Sequence, residues 1–335
     1  MRAWILTRHG DPAKAFQLRE VADPEPGPHQ VRIAVEGFGL NYADVMAVKG
    51  LYREAPPLPS VLGYEVVGRV EKLGAEVPGD LLGKRVVALT RFGGYAEKAC
   101  TDHRAMAVVP EDLSLGASLA LGTQGVTAWY MARVAWPLRA GMRVLVHSAA
   151  GGVGQLLVQL ALHADCIVYA VAGGAEKTAH LTAMGVQHVI DRHQGDYAER
   201  LQHLLGNDRL NVSFNAVAGS TFRKDMKLIG SGGAVVLFGG AERGRMGTLR
   251  FVWSMGLVLP IFLMMKSKSI IGVNMLKLGE RDPALVAACL QGAVEAAERG
   301  VLDPHVHAEL PAEHLPDAHV LLAEGGTMGK LAVRW

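Results

Sequence analysis

The chain of 335 residues contains little cysteine, few aromatic residues and almost no net charge. Three cysteines lie at positions whose spacing fits neither a zinc site nor a disulfide framework, namely Cys100, Cys166 and Cys289. A formal net charge of +2 is too small to favour nucleic acid or an anionic membrane as a partner. The first residues enter a strand pattern directly, so no signal peptide is expected. These features predict a protein of the reducing cytoplasm.

Composition and patterning predict two domains of different architecture. Hydrophobic residues make up 50% of the chain and charged residues 20%, which is typical of a globular protein with a large core. Up to about residue 120 the pattern is β-rich and punctuated by Pro and Gly, whereas strands and helices alternate from 123 onwards. A tail after about 275 could return to complete the first part. The expected domains are therefore 1–122 with 275–335, and 123–274.

The individual elements follow from apolar periodicity. Strands are predicted at 2–7, 17–21, 30–37, 64–73, 85–89, 95–101, 143–147, 167–172, 188–191, 211–216, 234–238, 270–273, 308–310 and 331–334. Helices are predicted at 123–134, 282–299 and 312–324. The alternation of the middle part indicates a doubly wound parallel sheet, in which ligands bind at the carboxyl ends of the strands.

Residues 142–177 carry the strongest functional signal. An apolar strand leads into a turn of small residues, then a helical pattern, then a second strand. Small residues let the backbone approach a pyrophosphate, and the helix N-terminus presents free N–H groups to it. The spacing Ala149-x-Gly151-x-x-Gly154 departs from the usual G-x-G-x-x-G in its first position. The segment predicts a dinucleotide site, with a turn that binds nothing as the alternative.

The charges near this turn favour NADP(H) over NAD. The second strand ends at Gly173 without the acid that usually binds the ribose of NAD. Glu176 is a rival for that role, but it lies beyond the strand, where it would cap the next helix. Lys177 and Arg192 would supply the cations that a 2′-phosphate needs, unless each is a solvated surface charge.

Several motifs together resemble those of the medium-chain dehydrogenases/reductases. They are the glycine-rich strand GYEVVGRVEKLG (63–74), NYAD (41–44) followed by KGLY (49–52), the turn 149–154, and the closing GKL (329–331). In combination they are similar to the zinc-free, zeta-crystallin-like quinone oxidoreductase branch. KSIIGVN (268–274) and the apolar run before it resemble the vesicle amine transport protein 1-like subgroup.

This resemblance implies a fold, a reaction and a set of site residues. The fold would be α/β, with a β-rich GroES-like catalytic domain and a Rossmann cofactor domain whose sheet is doubly wound and parallel. The reaction would be NADPH-dependent reduction of a quinone or conjugated carbonyl, by a homodimer that pairs sheet edges around 270–273. Catalytic roles are implied for Asn41 and Tyr52. The expected cofactor-binding residues are Asn41, Thr127, Ala149, Gly151, Gly152, Val153, Gly154, Gly173, Lys177, Arg192, Phe238, Gly239, Asn274 and Lys330.

No metal site is expected. Asn41 stands where the wider family has its first zinc-binding Cys, Tyr64 stands in place of the His, and residues 122–127 contain no sulfur. His305 and His307 lack a third ligand nearby. Without a Lewis acid, the substrate should accept hydride readily, as quinones and α,β-unsaturated carbonyls do.

Two alternatives remain open at this level. An enoyl or enone reductase would use the same scaffold and differ only in its substrate. The charge-free run 251–265 (FVWSMGLVLPIFLMM) is interpreted as a buried or oligomer-facing segment or a lid, but membrane-surface attachment is possible. That run motivates a hypothesis of another class, a non-catalytic nucleotide-binding protein associated with a membrane.

Overall fold

The chain folds as two units in the computed structural model, which describes residues 1–241 and 247–335. The first unit combines Met1–Thr127 with Leu276–Trp335, and the second is Ala128–Met275. The domain boundaries predicted from the sequence, 122/123 and 274/275, are close to the observed boundaries at 127/128 and 275/276.

Regular elements alternate with short loops along the described residues. The strands are β1 (Arg2–Leu6), β2 (Phe16–Glu20), β3 (Gln30–Leu40), β4 (Ser60–Val61), β5 (Glu65–Leu73), β6 (Arg85–Leu89), β7 (Lys98–Asp102), β8 (Met106–Val108), β9 (Arg143–His147), β10 (Ile167–Ala172), β11 (His188–Asp191), β12 (Leu210–Asn215), β13 (Ile229–Leu237), β14 (Ser269–Gly272), β15 (Val306–Pro311) and β16 (Lys330–Arg334). The α-helices are α1 (Pro12–Ala15), α2 (Tyr42–Val48), α3 (Leu115–Ala120), α4 (Val126–Trp129), α5 (Gly152–His163), α6 (Ala175–Ala183), α7 (Tyr197–Leu205), α8 (Ser220–Leu228), α9 (Thr248–Met255), α10 (Pro260–Lys266), α11 (Met275–Arg281), α12 (Pro283–Glu298) and α13 (Leu315–Glu324).

The first unit is built on two β-sheets. The larger sheet has the order β15-β16-β3-β5-β6-β8, with β7 also paired to β3, and the smaller has the order β2-β1-β4. Alternate residues of β3 face the core, among them Val31, Ile33 and Val35, as the period of two in an extended strand requires. The tail returns to this sheet, because β16 pairs antiparallel with β3 and Leu331 lies opposite Leu40.

The second unit contains a six-stranded sheet whose pairs are all parallel. Its order is β11-β10-β9-β12-β13-β14. The chain therefore winds in one direction from β9 to β11 and in the other from β12 to β14. The reversal between β9 and β12 is the switch point at which doubly wound sheets bind ligands. The predicted strands 143–147, 167–172 and 188–191 are confirmed residue for residue.

The predicted helix 123–134 is confirmed as helical throughout, but it is α-helical only in its middle part. A π-helical stretch covers Leu121–Gly125, α4 follows, and a second π-helical stretch covers Tyr130–Ala135. Gly122 has a non-helical ψ of −120°. A Cβ at this glycine would lie 3.0 Å from the side chain of Glu65, so the distorted backbone brings the segment against that strand.

The predicted strand 95–101 begins later than expected, at Lys98. Tyr95 is instead part of an irregular segment between two other parts of the unit. Its N–H donates to the Leu62 carbonyl at 3.0 Å, and its own carbonyl accepts from the Trp4 N–H at 2.9 Å. These two hydrogen bonds occupy the N–H and the carbonyl that Tyr95 would otherwise use in a regular β-ladder.

The apolar run 251–265 is exposed, so the expectation that it is buried is wrong for the single chain. It lies in the two short helices α9 and α10, which the irregular residues 256–259 separate. Leu249, Trp253 and Leu257 expose more than four-fifths of their surface, at 88%, 86% and 87%. By length and composition alone, Thr248–Lys266 is the one segment among the described residues that passes as a membrane span, and none of it is buried.

Candidate functional site

Asn41 forms the first part of the candidate site, at the junction between β3 and α2. Its side-chain Nδ2 lies 2.9 and 2.8 Å from the two carboxylate oxygens of Glu65. Its Oδ1 accepts a longer bond of 3.3 Å from Gln124. The residue is buried and extended in backbone conformation at the helix N-terminus. Its amide is therefore held in one orientation by groups from β5 and from the π-helical stretch.

Glu65 is the centre of this cluster, and the sequence predictions missed it. Besides Asn41, its carboxylate accepts from the Thr123 hydroxyl and, at 2.5 Å, from the Lys330 ammonium. Glu65 and Lys330 are both fully buried, so each charge depends on the other for compensation. Gly39 passes beside the pair, where a Cβ would overlap both charged groups. The sequence feature that could have indicated Glu65 is an acidic residue within a glycine-rich strand whose other residues are typical of a buried strand.

Lys330 was predicted to contact the cofactor, and the structure gives it a different environment. Its ammonium has no exposed surface and bonds to Glu65, with a further contact of 3.5 Å to the Leu40 carbonyl. A cation in this position stabilises the carboxylate that orients Asn41. Contact between Lys330 and the cofactor stays a prediction.

Asp44 is buried one helical turn after Asn41. Its carboxylate accepts the Asn41 backbone N–H at 2.9 Å, as the third helical residue does in a capping box. Burial, together with the nearby negative charge of Glu65, raises the pKa of Asp44 from 3.8 to about 7. The carboxyl therefore changes its protonation state near neutral pH.

Tyr52 and Tyr64 form an aromatic edge near this cluster. Their rings meet edge to face with centroids 6.2 Å apart, and Tyr64 also packs against Phe92. Burial raises the pKa of Tyr52, so its hydroxyl is protonated at neutral pH. Tyr64 is almost completely buried. Thr127 is buried as well and donates its hydroxyl to the Thr123 carbonyl at 2.5 Å.

In the second unit, the glycine-rich turn follows β9 directly. Ser148 has a positive φ of 51°, and the Gly151 N–H donates back to its carbonyl at 2.8 Å. Helix α5 then begins at Gly152 with Gly151 as its N-cap, which offers no side chain to the first amides. A Cβ at Gly154 would overlap the Ser148 carbonyl and lie 2.8 Å from the Ala149 Cα. The turn is thus closed tightly, and the amides of Gly152, Val153 and Gly154 form the first turn of the helix, where anions bind.

Lys177, in the first turn of α6, lies near Arg192, which directly follows β11. Burial lowers the pKa of Lys177, and the positive charge of Arg192 lowers it further. Arg192 lies against Gly173, since a Cβ there would be 2.6 Å from the guanidinium Nε. Two cations that repel one another at a strand edge are suited to binding a phosphate.

Asp191, the last residue of β11, directs its carboxylate at backbone N–H groups. Its Oδ1 accepts from the Gly174 N–H at 3.1 Å and from the His193 N–H at 2.9 Å. Those two bonds lower the pKa of Asp191, so the carboxyl is ionised at neutral pH. Through these hydrogen bonds to two backbone amides, Asp191 links the residues that follow β10 to those that follow β11.

The other predicted cofactor residues of this unit lie at two further strand ends. Phe238 follows β13, and its N–H donates to the Asn215 carbonyl at 3.2 Å. A Cβ at Gly239 would lie 2.6 Å from the Ala216 carbonyl, so this glycine packs against the loop after β12. Asn274 is exposed after β14. The structure therefore distributes the predicted cofactor residues of the second unit over the carboxyl ends of β9, β10, β11, β13 and β14.

No three His, Cys, Asp or Glu side chains converge as a metal site would require in 1–241 and 247–335. At the position where the zinc-dependent enzymes would have a thiolate, Asn41 presents an amide that already bonds to Glu65. The expectation of metal independence continues to rest on these residue types.

The sequence matches known families over most of its length. Residues 27–140 match the alcohol dehydrogenase GroES-like domain, and residues 152–290 match the family described as zinc-binding dehydrogenase. The human synaptic vesicle membrane protein VAT-1 homolog is 30% identical over 99% of this chain and 86% of its own length. The quinone oxidoreductase of Pongo abelii is 29% identical over 99% of this chain and 97% of its own length. A mycobacterial protein solved in complex with NADPH superposes over the whole of both chains with a TM-score of 0.88 and 26% identity. With a GroES-like domain and a Rossmann domain in this order, the chain belongs to the medium-chain dehydrogenases/reductases, in the quinone oxidoreductase branch.

Proposed function

We propose that this protein is an NADPH-dependent reductase that transfers hydride to a quinone or to a conjugated carbonyl. The observation that carries the proposal is the tight Gly151–Gly154 turn at the start of α5, with Lys177 in the first turn of α6 and Arg192 directly after β11. The turn offers first-turn amides to a pyrophosphate, and the two cations offer charge to a 2′-phosphate. The mycobacterial protein of the same fold, solved with NADPH, supports the same cofactor.

NADPH, when bound, supplies the hydride that the conjugated acceptor takes up. The protein's own residues orient the reactants and donate the proton. Asn41 Oδ1 accepts a long hydrogen bond of 3.3 Å from Gln124, and an amide oxygen has two lone pairs. We assign to it an acceptor role toward a ribose or substrate hydroxyl, because Nδ2 already donates to Glu65. Tyr52, protonated at neutral pH, is the proposed hydrogen-bond or proton donor.

The cofactor assignment is tested with the double variant Lys177→Ala/Arg192→Ala. Loss of two charge-assisted hydrogen bonds should weaken NADPH binding by about a hundredfold and leave NADH binding nearly unchanged. Isothermal titration of both coenzymes measures the difference. Arg223→Ala/Lys227→Ala, which removes two exposed cations elsewhere in the second unit, is the matched control. Equal weakening of both coenzymes by the first pair would show that it does not bind the 2′-phosphate.

The substrate class is tested with two acceptors. Oxidation of NADPH in the presence of 1,2-naphthoquinone supports the quinone reductase, and oxidation with a 2-enoyl thioester supports the enoyl or enone reductase. Turnover of neither acceptor, by a protein that binds NADPH, would contradict the reductase proposal in both forms.

A second candidate function is favoured by the exposed apolar helices α9 and α10. It is a non-catalytic nucleotide-binding protein at a membrane surface, and the VAT-1 homolog's name describes a vesicle membrane protein. Flotation with liposomes tests it, because replacement of Trp253 and Met265 by serine should abolish flotation if these exposed side chains insert. Quinone turnover without flotation would favour the reductase in the cytoplasm.

We also propose that the protein is a homodimer paired through β14. This strand is the last in its sheet, so its outer backbone groups have no ladder partner among the described strands. Sedimentation equilibrium measures the mass. A monomer at micromolar concentration would contradict the proposal.

A further inference from the structure

A fully buried carboxylate, that of Asp225 on α8, lies in the second unit outside the residues discussed so far. Its Oδ1 accepts from the Tyr197 hydroxyl at 2.8 Å, and its Oδ2 accepts from the Ser213 hydroxyl at 2.7 Å and from Asn215 Nδ2 at 2.6 Å. His147 Nε2 lies 3.1 and 3.0 Å from the two oxygens. A buried charge with so many donors is held in one position, and it holds its donors in turn.

Two of these partners lie on either side of the switch point. His147 is the last residue of β9, immediately before the glycine-rich turn, and Asn215 is the last residue of β12. Strands β9 and β12 are neighbours in the sheet. One carboxylate therefore joins the starting points of the two loops between which a dinucleotide binds in this fold.

Asn215 transmits this restraint to the loop that follows β12. Its Oδ1 accepts from the N–H groups of Val217 at 2.9 Å and Ala218 at 2.8 Å. Ala218 has a φ of +55°, which a residue with a Cβ rarely adopts, and Gly219 has a φ of +54°. The loop thus keeps an unfavourable backbone conformation that the Asn215 side chain stabilises.

The same loop contacts the next strand end. The Ala241 N–H donates to the Ala216 carbonyl at 3.2 Å, and Gly239 packs against that carbonyl. A displacement of 216–219 would therefore move the Phe238–Gly239 segment as well. The loops after β12 and β13 are therefore in contact and form one surface. This surface lies on the other side of the switch point from Lys177 and Arg192.

We propose that Asp225 is a positioning residue for the nicotinamide half of the cofactor, acting through Asn215 on the loop 216–219. The inference rests on the proposed function, because it takes the adenosine phosphates to lie at Lys177 and Arg192. The remainder of a dinucleotide then extends across the switch point toward the loops after β12 and β13. Asp225 itself touches no ligand, since it is fully buried.

The test compares binding of NADPH with binding of adenosine 2′,5′-bisphosphate, which carries only the adenosine half. Asp225→Asn keeps the shape of the side chain but replaces an acceptor by a donor opposite Asn215 Nδ2. We expect it to weaken NADPH binding by about tenfold, the loss of one hydrogen bond to a charged group, and to leave the bisphosphate affinity unchanged. Asp208→Asn is the matched control, because its pair with Arg143 lies at the opposite end of β9.

A second variant keeps the test decisive if Asp225→Asn does not fold. Asn215→Ala removes the acceptor for the loop amides and should show the same split between the two ligands. The double variant should be no weaker than the worse single variant, because both act through one path. Equal weakening of both ligands indicates a merely structural role and overturns the inference, as does unchanged NADPH binding. If the unsubstituted protein binds neither ligand, the proposed function fails together with the inference.

Discussion

Replacing Lys330 by methionine should destabilise the first unit strongly, because it leaves the Glu65 carboxylate buried without a counter-charge. Lys330 and Glu65 have no exposed surface, and their charged atoms lie 2.5 Å apart. Methionine nearly fills the volume of the lysine stem, so packing loss is a minor part of the change. Removing one partner of a buried pair costs about 3–5 kcal/mol. We expect a loss of that size in the free energy of unfolding.

A double-mutant cycle and a surface control variant test whether Glu65 depends on the charge of Lys330. Chemical denaturation gives the free energy of unfolding of Lys330→Met, Glu65→Gln and the double variant. The double variant should recover part of the single-variant loss, because it leaves no unpaired charge. Lys98→Met, which breaks the partly exposed pair with Asp23, should cost much less, since solvent screens that pair. A Lys330→Met variant as stable as Lys98→Met would refute the claim that Glu65 depends on this cation.

The remaining predictions concern Asp44 and the glycine-rich turn. A carboxyl whose pKa rises from 3.8 to about 7 on folding loses stability as the pH rises between those values, so Asp44→Asn should gain on the wild type from pH 4 to 7 and then stay level. The upper limit of that gain is about 4 kcal/mol, and thermal unfolding across pH measures it. A pH-independent difference would show that Asp44 is ionised throughout. Gly154→Ala should lower the free energy of unfolding by about 1–3 kcal/mol, because its Cβ overlaps the Ser148 carbonyl. It should also weaken NADPH binding. Gly151→Ala, whose Cβ would lie 3.1 Å from the same atom, should cost less.

The local pattern of the sequence was sufficient for most of the second unit. Alternation of apolar strands with amphipathic helices predicts a parallel sheet, since consecutive parallel strands need a crossover. The small residues from Ala149 to Gly154 predict the turn before α5, because only small side chains fit where the backbone folds back on Ser148. These features depend on neighbours within one turn or one strand, so they can be read along the chain.

Features that depend on distant residues required the tertiary structure. The non-helical ψ of Gly122 accompanies its close packing against Glu65 of β5, which lies far away along the chain. The exposure of α9 and α10 could not be read from their composition, because a long apolar run is equally compatible with burial and with a contact surface.

By itself, the sequence determined the two kinds of domain, the approximate strand positions of the parallel sheet, the small-residue turn before α5 and the pair of cations near it. Only the tertiary structure decided which charges compensate one another. Lys330 pairs with Glu65, 265 residues away along the chain, and Asp225 joins His147 to Asn215 across two strands. The physical reason is that a buried charge is stable only beside its counter-charge and donors. Their identity is fixed by the packing of strands that are remote in sequence.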